Sequence, residues 1–471
     1  MPIHRARTPL PPVPSRADRV RRVPRPPGSS RPPRPPGGRR ALWCGGWLVA
    51  AGWAGAFPLA SGLGPHRSWG LLAAVGYLVA AVTVLTLPSR WARAGSVAVA
   101  LTGAVLAPLL VLVVTGHGQS EVVVIERSGE LLLRHGTPYL AEPRTVAEYT
   151  PYLPGMALFG LPRALFGADG WPARLLGDAR PWCAAVFLGC LAAAVRPPRH
   201  DGRTAGLRAA VSGAGGGPNV PVLAVAALVA SPLVALPLCV SGVDLPLTGL
   251  CVLALALAGR GRPFATGSAL ALACALKWTA WPAVAVAVAL LAATVGRRAA
   301  LRALATAAVG TAALVLPCAL HAPGPLMEQV FAFPTGRGAL PTPASSPLPG
   351  RLIAGLGPGG WYAALGLLLL AGLAVAVSLL RHPPRNAVAA ADRLALGLAL
   401  AFLLAPAGRF GYLALPAVLV LVPRLPSLRL LPRSALLSRP SRQPLPSRPV
   451  LARSAPTAAP RPRTPKVVPA P

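Results

Sequence analysis

The chain has 471 residues, 54% of them hydrophobic and only 12% charged. Soluble domains carry about a quarter charged residues, and several apolar runs here reach the roughly 20 residues that cross a bilayer core, so a soluble fold is excluded. The net charge of +34 sits in the two tails and in short turns between apolar runs, the placement of cytoplasmic flanks; no aromatic-plus-basic module offers a nucleic-acid groove, and no nucleic-acid partner is expected.

Residues 1–40 are rich in proline and arginine. They cannot bury a core and are expected to form a disordered cytoplasmic tail facing anionic lipid headgroups. About twelve transmembrane helices are then expected, at 41–61, 70–88, 96–115, 181–196, 220–240, 244–259, 264–277, 280–296, 300–320, 353–380, 388–406 and 410–424. The basic turns at 89–93, 196–218, 259–262, 296–298 and 381–385 place those ends, and both termini, inside the cytoplasmic membrane. A large outer loop at 116–180, carrying interfacial helices, and a second at 321–352 fall outside. The expected fold is all-α and polytopic, with one membrane domain at 41–424 and a second disordered basic tail at 425–471. No internal repeat is present, so the matched halves of many transporters are missing. The seven cysteines show no CxxC spacing and read as small buried apolar residues.

Of the 12 acidic residues, seven lie in the first outer loop: Glu121, Glu126, Glu130, Glu142, Glu148, Asp169 and Asp178. A carboxylate at the membrane surface suits a general base toward a sugar hydroxyl, which makes Glu121 and Glu126 the catalytic candidates. Glu130, four residues before Arg134, reads instead as a helical ion pair. Tyr139 and Tyr152, each beside a proline, offer flat amphipathic faces for a sugar or for the headgroup layer. Asp178 with Arg180, and Asp244, stand at helix starts, where an acid either caps the helix or orients a substrate. Lys277 is one of only two lysines. Set in ALKWTAWP, it either grips a lipid phosphate as a point charge or snorkels to the interface. Arg337 and Arg409 fall on the outer side against the positive-inside trend, which pairing with a phosphate or carboxylate explains. The histidines are scattered; no metal site and no cofactor are expected.

The order GTPYL, EYTPYLPGMALFG, GDAR, GVDLP, ALKWTAWP, SSPLPG and LAPAGRFGY resembles glycosyltransferase family 87, bacterial integral-membrane proteins of GT-C architecture, over roughly residues 116–424. The resemblance implies a polyprenyl-phosphate-linked sugar donor, typically of mannose, a glycan or glycolipid acceptor, and transfer on the outer side of the membrane. It also implies an acid of the first large outer loop as base, here Glu121 with Glu126 as alternative. With such a donor, the residues expected at its phosphate are Lys277 with Arg337 or Arg409, from their charge and outer placement. In that family the acid is usually Asp in the loop after the first span; here three expected spans precede Glu121. A lipid-linked-sugar flippase and a non-catalytic membrane scaffold are the alternatives.

Overall fold

A computed structural model describes residues 36–196 and 220–425. The expected disordered tails, and the basic turn at 196–218, therefore lie almost wholly outside the described residues. Among the described residues every regular element is helical; the β contact is an isolated bridge between Ser345 and Gly408.

Three long helices come first: α1 (Pro36–Ala60), α2 (Gly64–Thr86) and α3 (Ser89–Val114). α2 and α3 cross where Gly76 meets Gly103, so closely that a Cβ on Gly76 would stand 2.7 Å from the Gly103 Cα. Such small-residue crossings let backbones pack where lipid supplies no hydrophobic drive between helices. A π-helical turn at Thr102–Leu106 interrupts α3 at that crossing.

The loop that follows holds α4 (Ser120–His135), 3-10 turns at Val146–Glu148 and Pro154–Gly160, α5 (Leu161–Phe166) and α6 (Gly170–Gly177). α4 is amphipathic. Val122, Ile125 and Gly129 are buried at helical spacing. Glu121 in the first turn and Arg134 with His135 in the last complement the helix dipole. Gly136, at φ 69°, closes the helix in the left-handed region.

Next, α6 meets α7 (Ala179–Val195) at 42°, and α8 (Val220–Ala230) meets α9 (Pro232–Val240) at 62°. Three short helices follow: α10 (Leu245–Gly259) and α11 (Pro263–Leu276), mostly buried, and α12 (Trp281–Thr294), buried along one side. The chain ends with α13 (Arg297–His321), α14 (Pro323–Leu326), α15 (Pro349–Ala354), α16 (Pro358–Arg381), α17 (Ala387–Leu404) and α18 (Ala414–Leu421).

Six described helices are long and apolar enough to cross a membrane, or eight if each bent pair is one span. The expected twelve are not reached. The difference lies at 244–259, 264–277, 280–296 and 410–424, each helical but no longer than 17 residues. A 15-residue helix extends only about 22 Å, short of the roughly 30 Å hydrocarbon core. Hydropathy does not tell lipid contact from protein contact. In α10, 12 of 15 residues are buried by neighbouring helices, whereas in α16 only Ala364 and Leu379 are.

Candidate functional site

The site is built on a broken helix. α11 does not run on into α12: Lys277 takes an extended backbone (φ −158°, ψ 135°), and a 3-10 turn at Trp278–Ala280 follows. Pro282 then opens α12, where its missing N–H is not needed. The break turns the Lys277 side chain inward. It is 13% exposed, and its Nζ lies 2.9 Å from Asp244 Oδ1. The ammonium also sits 4.7 Å from the Tyr412 ring centre and 5.4 Å from that of Tyr152.

Tyr152 reaches that position because its loop is pinned on both sides. The Leu153 N–H donates to Leu276 O (3.0 Å), one residue before Lys277. Gln329, fully buried, accepts from the Thr150 N–H (3.0 Å) and donates to Leu140 O (2.6 Å). Tyr149 stacks on Phe333 and donates its hydroxyl to Glu328 (3.3 Å). Thr145 and Glu148 form a capping box on the turn between them and Tyr149. Sequence reasoning missed Glu328, Gln329 and Tyr412. Glu328 had a signal, an acid alone in an apolar stretch; Gln329 had none.

Around this point opens a cavity of about 1010 Å³. One end is polar, with Glu121, Tyr152, Lys277, Arg337 and Arg409 on its wall. Glu121 and Arg409 form an ion pair, Arg409 being held by the strand-like contact of Gly408 with Ser345 and Ala344. The Arg337 guanidinium lies 4.0 Å over the Trp361 ring, whose indole N–H donates to Thr335 O (3.1 Å). Asp244 does not line the cavity but reaches it through Lys277. The other end is apolar, lined by Leu365, Leu368, Leu369, Gly372 and Leu373 of α16 and by Leu398 and Phe402 of α17.

Five of the ten candidate residues thus line one cavity. The others do not, and for four of them the packing gives the reason. Tyr139 is buried and donates its hydroxyl to Tyr152 O (2.9 Å), so it braces the loop from behind. Arg180, 1% exposed, makes a two-pronged bond to Asp178 and spends its remaining donors on the carbonyls of His117, Cys239 and Leu112. Asp178 and Arg180 are both buried and neither lines the cavity. Glu126 points to the opposite face of α4, against Arg163 (3.3 Å) and the Ala179 N–H (3.3 Å). Burial, aided by Asp178, pushes its carboxyl up to about 7, against the opposing pull of Arg163, the Ala179 N–H and Arg180. Glu130 does pair with Arg134, at 2.8 Å. Among the described residues no group of three His, Cys, Asp or Glu is placed to share a metal ion.

Fold and site together define a polytopic helical membrane protein with a charged cavity at one end of its bundle. The sequence profile of glycosyltransferase family 87 matches residues 149–406, more than half of the chain, and the chain belongs to that family. No curated protein and no solved structure matches it. Membership makes the protein a membrane glycosyltransferase, with a sugar donor and an acceptor as its partners. Lys277, Arg337 and Tyr152 fall within the matched stretch; Glu121 and Arg409 flank it.

Proposed function

We propose that the protein moves a hexose, mannose by the family resemblance, from a polyprenyl-phosphate donor to a glycan or glycolipid of the cell envelope, on the outer face of the cytoplasmic membrane. One observation carries the reading: a single cavity has a carboxylate and cations at one end and a hydrocarbon-like wall along α16 and α17 at the other. A donor with a phosphate head and a prenyl tail matches both ends. The outer placement rests on the basic turns at 89–93 and 381–385: the first lies at the far end of the span-length α3 from α4, the second at the far ends of the span-length α16 and α17 from Trp361 and Arg409.

Glu121 takes the proton of the acceptor hydroxyl. The freed oxygen attacks the anomeric carbon, the bond from that carbon to the phosphate oxygen breaks, and its electron pair leaves on the phosphate. The phosphate passes from a singly charged diester to a more highly charged monoester. Lys277, Arg337 and Arg409 stabilise that growing charge. Counting Asp244 and Glu121 against these three cations leaves the resting site one positive charge, the complement of the diester donor.

The test is transfer from polyprenyl-phosphate mannose to an envelope lipid extract by the purified full chain, beside Glu121→Gln. Loss of a proton-accepting carboxylate removes a factor of about 10²–10⁴, so the variant is expected to lose at least a hundredfold in kcat. Transfer from a nucleotide sugar instead, or movement of the lipid-linked sugar across liposomes with no product formed, overturns the proposal.

A further inference from the structure

The turn that launches α4 is held by elements with no direct share in the cavity. Glu121 stands two residues beyond Gln119, whose backbone N–H donates to Val240 O (2.9 Å). The Gln119 side-chain nitrogen lies 3.1 Å from His66 Nε2, and His66 Nδ1 lies 3.4 Å from Ser61 Oγ. A neutral imidazole satisfies both contacts at once: it accepts from Gln119 and donates to Ser61. Arg180 grips the same turn from the other side, donating to His117 O (2.9 Å) and Leu112 O (3.3 Å) while Asp178 holds its guanidinium in a fork. Between these grips the backbone of Glu121 has little freedom, although its side chain sits only in the first turn of a helix, where chains fray.

We propose that His66 and Arg180 are positioning residues for Glu121: together they fix the turn at 112–119 so that the carboxylate meets the Lys277–Arg409 end of the cavity. This assigns α1, α2 and α3, which lie before the matched stretch at 149–406, to the catalytic unit. The helices that precede the acidic loop are then not an appendage, because one of them carries the support of the base. The inference rests on the reading of Glu121 as base.

The experiment compares kcat and donor KM for the full chain, His66→Ala, Glu121→Gln and the double variant, with polyprenyl-phosphate mannose as donor. His66 is partly exposed and lies near the start of α2, so the single variant is expected to fold. A displacement of 1 Å at a reacting group can lower a rate by about 10²-fold, and His66→Ala is expected to lower kcat about tenfold with donor KM within about twofold. In the Glu121→Gln background it is expected to change nothing further, because there is no base left to misplace. Arg180→Lys, which keeps the charge but loses the fork, is expected to give the same split. Equal losses from His66→Ala in both backgrounds mark a merely structural role and overturn the proposal, as does an unchanged kcat in the single variants. Should Glu121→Gln transfer as fast as the parent chain, it is the base assignment that falls, and the two failures are told apart.

Discussion

At the scale of single residues, what decides function here is where each charge finds its partner. Glu121 and Glu126 are five positions apart on α4, yet one faces the cavity with Arg409 and the other is sealed against α5 and α7. The sealed one has a measurable consequence. Its folded carboxyl is raised from an ordinary 4.5 to about 7, so between those values the folded chain holds a proton that the unfolded chain has released. Stability therefore falls as pH rises through that window, by about 3 kcal/mol in all. Glu126→Gln has no such proton to lose. Relative to the parent chain its Tm in detergent is expected to gain between pH 5 and pH 8; a Tm difference that is flat with pH sinks this account. The sequence made the cavity residues legible because charge is rare in apolar surroundings: Glu121, Lys277, Arg337 and Arg409 stood out for that reason. It did offer Asp178 as the cap of α7 beside Arg180, as found, but it did not make Arg180 or Tyr139 legible as braces, since whether a polar group faces a substrate or a backbone carbonyl is decided by distant segments. Arg180 answers to Leu112 and Cys239, neither of them near it in the chain.

At the scale of elements, the positions of most helices were legible but the role of the short ones was not. Hydropathy read α10, α11, α12 and the 410–424 segment as spans, because interior protein and hydrocarbon look alike to it. The site depends on those elements being short: a continuous α11–α12 helix would carry Lys277 around its cylinder instead of turning it toward Tyr152. The same dependence holds for α4, which rests directly on the backbone at 154–160. A Cβ on Gly160 would stand 2.0 Å from Ile125 O, and one on Gly129 would stand 2.2 Å from the Gly160 carbonyl carbon. Both obstacles are backbone and cannot swing aside. Gly160→Ala is therefore expected to cost about 1–3 kcal/mol by overpacking, lowering Tm, and to lower kcat by lifting α4 and Glu121 away from Arg409. Gly189→Ala serves as the comparison, since nothing lies within 4 Å of the added carbon; in mid-helix alanine is the better helix former, so its Tm is expected to hold or rise. If the two variants behave alike, close backbone approach is not what seats α4.

At the scale of the whole molecule, the cavity joins two media. Its polar side is made by the loops at 116–180 and 321–352 together with Lys277 at the α11–α12 break and Arg409 after α17, and its apolar side by helices that also face outward, with Leu370 and Leu380 of α16 off the cavity and more than half exposed. A donor that used only the polar end would not distinguish a long prenyl tail from a short one. One that lies along α16 must do so: the bilayer gives a prenyl tail no hydrophobic drive toward protein, so the arm holds it by van der Waals packing against its leucines, and a longer tail makes more of those contacts. Gly372 offers the means to test this. It lines the apolar arm, and nothing stands within 4 Å of a Cβ built on it, so Gly372→Trp is expected to fill the arm without straining the helix. Displacing the tail from those packing contacts is expected to raise KM for a long-chain polyprenyl-phosphate donor severalfold. KM for a ten-carbon prenyl analogue, too short to reach down the helix, is expected to stay put, and kcat is expected to stay with it because the charged end is untouched. A variant that treats long and short donors as the parent chain does would place the tail outside this arm and leave α16 facing only the bilayer.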